Sequence, residues 1–382
     1  MIRITNKKDC CGCAACVQIC PKQCITMVSD EEGFLYPKVD ETICIQCGVC
    51  EQICPMLNPA QSQKPKSIYA SINPDENTRR ISSSGGVFFL LACKTIQEGG
   101  VVFGACFDRQ WVVRHDCTET VEGLEKYLGS KYVQSETGDC YAKAEHYLKL
   151  GREVLFSGTA CQIAGLLSFL KKPFDNLIAV DVLCHGVPSP LIWRDYLKYE
   201  CNKHQVNISD LTDVSFRDKQ VGWRRFGMSI KSGENLLVSE PLDRNVYLKG
   251  FLRDLYLRPS CYQCQFRCGK CHSDITIADY WGIWKHHPQW DDDKGTSLVL
   301  INSEKGLNVF KSLDLKKVET SYEEALSGNS PLEHSVKETQ YRQLFWNRYP
   351  TDGIKAIDSI CLQLRPNVFK RILRKALSLL NR

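Results

Sequence analysis

The sequence predicts a two-part chain: a small, pseudo-symmetric α+β head followed by a larger mixed α/β body. Three observations predict it. Ten of the 22 cysteines fall in the first 54 residues, eight of them in two copies of one run. A stretch rich in Pro, Gln and Ser, "PMLNPAQSQKPK", then breaks the pattern. Beyond it, short apolar runs alternate with helical ones. With 43% hydrophobic and 24% charged residues, the 382-residue chain is globular and long enough for two or three domains.

The cysteines build the head. "CCGCAACVQICP" holds Cys10, Cys13, Cys16 and Cys20 as C-x2-C-x2-C-x3-C before a proline, and "CIQCGVCEQICP" repeats this with Cys44, Cys47, Cys50 and Cys54. The opening residues lack the apolar core of a signal peptide, and no apolar run reaches the roughly 18–20 residues that span a bilayer. A cytoplasmic location is expected, where structural disulfides are rare and clustered thiolates read as soft metal ligands. Zinc takes four ligands per ion, usually as two separated pairs. Three-then-one spacing with a trailing proline, found twice, is instead the run that holds two 4Fe-4S clusters. Its fourth cysteine ligates the other cluster, so the expected sets are Cys10, Cys13, Cys16 and Cys54, and Cys44, Cys47, Cys50 and Cys20. Cys11 and Cys24 are left over, Cys11 as a spare thiol beside a cluster. Between the runs, "ITMVSDEEGFLYPKVD" gives two short strands around a turn.

In the body, "SIYASI", "VVFGACF", "EVLFSG" and "LIAVDVLC" read as strands, and "VFFLLACKTIQE", "YAKAEHYLKL" and "CQIAGLLSFL" as helices. Three stretches carry chemistry. "RRISSSGGVFF" leads a serine- and glycine-rich turn into a helix. That suits an anion at free backbone N–H groups, or a plain serine N-cap. "LFSGTACQIAGLL" passes through Ser157, Gly158 and Thr159 and leaves Cys161 in the first turn of a helix, while "VDVLCHGVPSP" ends a strand at Cys184 and His185. Both cysteines then belong to the carboxyl edge of one sheet, where α/β folds place their sites. "RPSCYQCQFRCGKCHSDITIADYWG" contains the pairs Cys261/Cys264 and Cys268/Cys271, with His272 adjacent. Spacing alone permits a zinc knuckle from the two pairs, or a third 4Fe-4S site from Cys161, Cys184, Cys261 and Cys264. Cys93, Cys106, Cys117, Cys140, Cys201 and Cys361 read as buried apolar thiols.

Taken in order, "RRISSSGGVF", "LGSKYVQS", "VLFSGTACQIAGL", "VLCHGVPSP", "FRDKQVGW", "RPSCYQC" and "DITIADYWGI" resemble the beta subunit family of coenzyme F-420 hydrogenases and dehydrogenases over residues 67 to about 312. The resemblance implies a flavin-binding body behind a bacterial-type two-cluster ferredoxin domain. The division expected is 1–58 ferredoxin-type head, 59–66 linker, 67–150 region with the flavin-binding turn, 151–345 region with the third Fe–S site and flavin pocket, and 346–382 basic C-terminal helix. It implies FAD held by Ser83, Ser84, Gly85, Gly86, Lys131, Tyr132, Gly158, Asp279 and Gly282. It also favours Cys161, Cys184, Cys261 and Cys264 as ligands of a third cluster. "RCGKCH" departs from the family pattern and leaves Cys268 and Cys271 unassigned.

His185 and His272 are candidate proton donors, because imidazole titrates near neutral pH; a histidine beside a ligand cysteine is also a common hydrogen-bond partner of the site. In the tail, Val368, Ile372, Leu373, Leu377 and Leu380 share a face opposite Lys370, Arg374 and Lys375. Such a helix suits packing against protein or contact with an anionic membrane surface. The formal charge of +5 is mild and argues against nucleic-acid binding. The expectation is a cytoplasmic iron-sulfur flavoprotein oxidoreductase acting on an unidentified small organic substrate, with reduced ferredoxin or a similar carrier as electron partner. A subunit that only relays electrons, and an enzyme using coenzyme F-420 as substrate, are the alternatives.

Overall fold

The computed structural model describes residues 1–363. In the head, β1 (Ile25–Ser29) and β2 (Leu35–Val39) form an antiparallel hairpin in the register Ile25 with Val39. Asp30 closes it by accepting from the Glu32 and Phe34 N–H groups at 3.1 and 2.8 Å. The repeat in the sequence becomes a repeat in the backbone. Each cysteine run turns through a left-handed residue, Ala14 (φ 57°) in one and Gly48 (φ 74°) in the other. Each then enters a one-turn helix, α1 (Ala15–Gln18) or α2 (Val49–Gln52).

The body is organised on one eight-stranded mixed sheet. Its strands are β3 (Ser67–Ile72), β4 (Val101–Phe107), β5 (Val113–Thr118), β6 (Val154–Thr159), β7 (Leu177–Val182), β11 (Ile275–Asp279), β12 (Ser297–Ile301) and β13 (Lys316–Glu319), in the order β13-β3-β12-β11-β7-β6-β4-β5. β4, β6, β7 and β11 run parallel, so their carboxyl ends share one edge. Val154–Phe156 and Leu177–Val180 are buried runs, as strands covered on both faces must be. The helices read from sequence are present as α4 (Val87–Gln97), α5 (Cys140–Lys149) and α6 (Ala160–Leu170), after α3 (Glu76–Ile81). A capping box between Thr159 and Gln162 starts α6 directly at the end of β6.

A three-stranded antiparallel sheet, β8 (Asp213–Asp218), β9 (Gly227–Ser232) and β10 (Asn235–Pro241), follows α7 (Pro190–His204). It packs with Trp193, Tyr196, Tyr247, Tyr256 and Phe345 into an aromatic core. The two regions expected to divide near residue 150 interleave in one sheet, since β4 pairs with β6 across that point. The boundary at 345/346 falls inside the helix Tyr341–Asp352; that helix and Lys355–Gln363 bury Phe345, Ile357 and Ile360 in the aromatic core. Residues through 363 are therefore body. The amphipathic face from Val368 to Leu380 lies outside the described residues. Among the described residues no helix is long and apolar enough to cross a membrane.

The head is seated on the body. Thr137 Oγ1 donates to the Cys13 carbonyl at 3.0 Å, and Gln134 Nε2 to that of Cys11 at 3.0 Å. Arg342 grips the Glu32 carboxylate with both terminal nitrogens. A Cβ at Gly165 on α6 would stand 2.8 Å from Cys13 Cβ, so only glycine permits this approach. The expected linker is fastened too. Gln63 N–H donates to the Cys268 carbonyl at 3.1 Å, and His272 Nε2 pairs with the Gln61 carbonyl at 2.8 Å.

Candidate redox centre and adjoining cavity

The head holds two thiol-lined hollows. One gathers Cys10, Cys13, Cys16 and Cys54, with Cys11 at its wall; the other gathers Cys20, Cys44, Cys47 and Cys50, with Cys24 at its wall. These are the crossed sets that the repeat implies. Cys24 is buried with its sulfur 3.4 Å from that of Cys20. Cys47 is exposed, and Ile43 and Ile45 beside it are exposed as well, so the second hollow opens at the surface.

Cys161 sits in the first turn of α6, Cys184 just past β7, and Cys261 and Cys264 on the 3₁₀ turn Pro259–Gln263 and its end. The four thiols are electrostatic neighbours. Burial, then Cys261, Cys161 and Cys264, push the Cys184 thiol well up; burial, then Cys161 and Cys264, push Cys261 up to about 12. Thiols this crowded and desolvated suit a polynuclear cation that offsets their charge. Cys11 of the head stands between the two groups of thiols, next to both Cys13 and, in the body, Cys161. Cys271 points elsewhere, buried beside Asp181 and Ser273. The Cys268–His272 loop instead clasps the linker, and a Cβ at Gly269 would meet the Gln63 carbonyl oxygen at 2.3 Å. Among the described residues no three His, Cys, Asp or Glu side chains converge as a single metal ion requires.

A cavity of about 560 Å³ runs along the carboxyl edge of the sheet from Ala105 through Ser157–Thr159 and Val182–His185 to Ile277–Asp279. That size and place suit a cofactor. Of the expected flavin residues, Ser83, Ser84, Gly86, Lys131, Tyr132, Gly158 and Asp279 line it. Gly85 does not: its N–H donates to Ser297 Oγ at 2.9 Å, and a Cβ there would meet the Ser71 carbonyl oxygen at 2.3 Å. Gly282 does not either; at φ 87° it starts a one-turn helix against Gly328. The serine hydroxyls are used within the protein. Ser82 and Ser84 donate to the Thr78 and Thr296 carbonyls at 2.7 and 2.8 Å, and Ser83 pairs with Ser130 at 2.8 Å. What this turn offers a ligand is backbone at the start of α4. Lys131 donates to the Lys126 and Leu128 carbonyls at 2.8 and 2.9 Å, and burial pulls its ammonium down to about 7.

His185 lines the cavity, its Nε2 2.6 Å from Asp254 Oδ1, whereas His272 is exposed on the linker side. Sequence reasoning misses Arg217, although it stands in the quoted stretch "FRDKQVGW". Its guanidinium donates to Asp279 Oδ1 at 2.9 Å and the Ser83 carbonyl at 3.1 Å, and lies 3.9 Å above the Phe226 ring. Trp223 Nε1 donates to the same Asp279 oxygen at 2.8 Å and stacks on Trp281. His115 and Tyr127 are missed as well, because a lone histidine on a strand carries no signal.

A planar, polar cofactor fits this wall. His115, Tyr127 and Arg217 line it, and their Nδ1, Oη and Nε atoms are buried with no hydrogen-bond partner among the described residues. Leaving such atoms unpaired costs about 1–3 kcal/mol each. The cavity also meets the four-thiol site: Cys184 lines it, as does Thr159, whose hydroxyl is 3.1 Å from Cys161 Sγ.

Residues 9–57 match the 4Fe-4S dicluster domain family, and residues 151–325 match the C-terminal region of the coenzyme F420 hydrogenase/dehydrogenase beta subunit. No curated protein matches. Among solved structures, a chain of the F420-reducing [NiFe] hydrogenase complex from Methanosarcina barkeri is similar at 17% identity and a TM-score of 0.48, over 71% of this chain and 87% of that one.

Proposed function

Because the chain belongs to the coenzyme F420 hydrogenase/dehydrogenase beta subunit family and carries a 4Fe-4S dicluster domain at its front, we propose that it is an iron-sulfur flavoprotein oxidoreductase. One observation carries the reading: the four-thiol site and the cavity share a wall, at Cys184 and Thr159. Three 4Fe-4S sites then stand in sequence. Cys20, Cys44, Cys47 and Cys50 hold the outermost cluster; Cys10, Cys13, Cys16 and Cys54 the next; and Cys161, Cys184, Cys261 and Cys264 the third, beside an FAD in the cavity. The exposed Cys47 edge is where a reduced ferredoxin or similar carrier gives up electrons.

When bound, FAD supplies the exchange between one-electron cluster chemistry and two-electron hydride chemistry. The protein's part is to hold and polarise. The backbone of Ser83, Ser84 and Gly86 and the start of α4 receive an anionic group. Arg217, fixed by Asp279 and stacked on Phe226, sets a permanent positive charge on the wall. Phe251, Leu252, Val182 and Pro331 keep part of the cavity apolar.

The substrate is a small organic acceptor of hydride. A second reading, with the deazaflavin coenzyme F-420 as hydride partner, is favoured by the family matched over residues 151–325. The two readings, and that of a subunit relaying electrons to a partner enzyme, separate in one experiment. The purified protein, reduced through its clusters, is mixed with coenzyme F-420, with candidate organic acceptors, or with neither. Oxidation of the flavin by an organic acceptor alone supports the proposal, oxidation by coenzyme F-420 alone supports the second reading, and no oxidation without a further protein supports the relay.

A further inference from the structure

Arg258 is fully buried, and every oxygen that accepts from its guanidinium is uncharged: the carbonyls of Cys10 and Leu35 and the side-chain amide of Gln134. The rings of Tyr36 and Phe34 lie beside it, their centres 4.3 and 5.5 Å away. Among the described residues no carboxylate pairs with it. The acids of the hairpin turn that leads to Leu35 are engaged elsewhere, Asp30 and Glu31 with Lys7 and Glu32 with Arg342. A buried charge without a counter-ion is costly. The remaining direction of the fork is toward sulfur, with Nη2 3.6 Å from Cys10 Sγ.

Sulfurs of the other two sites meet neutral donors. Ile2 N–H donates to Cys50 Sγ at 3.3 Å and Val187 N–H to Cys261 Sγ at 3.4 Å, while the Cys24 thiol is 3.4 Å from Cys20 Sγ and the Thr159 hydroxyl 3.1 Å from Cys161 Sγ. Of the cations at the outer hollow, the Met1 ammonium is held by Glu51 at 2.9 Å and Lys22 is exposed to screening solvent. Among the described residues Arg258 is the one cation hydrogen-bonded to a sulfur of the three sites.

We propose that Arg258 is the counter-ion of the inner head cluster, the one assigned to Cys10, Cys13, Cys16 and Cys54, and that its charge raises the reduction potential of that cluster. The inference rests on the iron-sulfur reading above and adds to it the residue that draws electrons inward. A cluster with four thiolate ligands is an anion whose charge grows on reduction, so a fixed cation in a low-dielectric site stabilises the reduced form more than the oxidised one. Arg258 is also an electrostatic neighbour of Cys161 and Cys261, and so stands where an electron passes from head to body.

The test is a redox titration of the full chain followed by electron paramagnetic resonance. Cys10→Ser identifies the signal of the inner cluster and Cys47→Ser that of the outer one. Arg258→Gln keeps an N–H donor and removes the charge. Its inner cluster is expected to become harder to reduce by about tenfold, which is about 59 mV for one electron, with the outer midpoint unmoved. Arg258→Lys keeps the charge without the fork and is expected to stay near the wild-type midpoint. An unmoved inner midpoint in Arg258→Gln, or an equal fall in Arg258→Lys, overturns the inference and leaves the iron-sulfur reading standing. If Arg258→Gln holds no inner cluster, Arg258→Lys decides: iron and midpoint restored support the charge, and a cluster lost there too assigns the arginine to shape alone and overturns the inference. A wild-type head without iron overturns both.

Discussion

Arg258 Nε donates to the Cys10 carbonyl oxygen at 2.8 Å, and its Nη2 stands 3.6 Å from the Cys10 thiol. The same guanidinium donates to the Leu35 carbonyl at 2.9 Å and to Gln134 Oε1 at 2.9 Å, and lies 4.3 Å from the centre of the Tyr36 ring. One fully buried arginine of the body thus holds the first cysteine of the head, the far strand of its hairpin, and a glutamine that in turn holds Cys11. Three residues further on, Cys261 belongs to the four-thiol site. The head's inner thiols and the body's thiols are fixed by one segment.

Arg258→Met is therefore expected to loosen the head as well as to destabilise it. Losing several charge-assisted bonds costs about 2–3 kcal/mol. Urea titration followed by visible absorbance should show the head's transition at lower denaturant, and electron transfer from head to body should slow while the head remains reducible by dithionite.

Gly165→Ala probes the same seam by steric means. The added methyl would stand 2.8 Å from Cys13 Cβ and 3.0 Å from its sulfur. Overpacking of this kind costs about 1–3 kcal/mol. Thermal unfolding should fall accordingly, and iron in the protein as purified should drop.

Much of this arrangement was legible in the sequence, and for a reason. The two cysteine runs constrain each other through a crossing ligand, so spacing alone assigned the eight cysteines that line the two hollows. The buried runs of β6 and β7 and the helix start at Thr159 were equally plain, because burial on both faces and a capping residue leave local marks. What the sequence could not give depends on contacts between distant residues. Nothing local marks Arg217 as the partner of Asp279, 62 positions away. The resemblance assigns Ser83 and Ser84 to a flavin, yet the hydroxyls of this turn are taken by Thr78, Thr296 and Ser130. Nor could spacing separate Cys264 from Cys271, which the fold turns in different directions.

That last pair makes a direct comparison. Cys264→Ser should lower iron by about four per chain, since a 4Fe-4S cluster has four cysteine ligands. Cys271→Ser, which alters a thiol beside Asp181 and Ser273, should leave the iron content unchanged. Iron analysis after anaerobic purification checks both.

His115 gives a pH signature. Its pKa is about 4 in the fold and about 6.5 when unfolded, so the unfolded chain takes up the proton first as pH falls. The stability it contributes is complete above pH 6.5 and is lost progressively between about 6.5 and 4, by about 3 kcal/mol. Urea titrations of the wild type and of His115→Gln across this window should show the slope in the former to be steeper.

The proposed electron path runs through three clusters and ends at a flavin. Iron, zinc and FAD measured on protein purified without oxygen, with visible spectra before and after dithionite, test it most directly. About twelve irons and one FAD per chain, bleaching on reduction, are predicted. About eight irons with one zinc and no flavin would contradict it, since the four-thiol site and the cavity would then hold neither cluster nor cofactor.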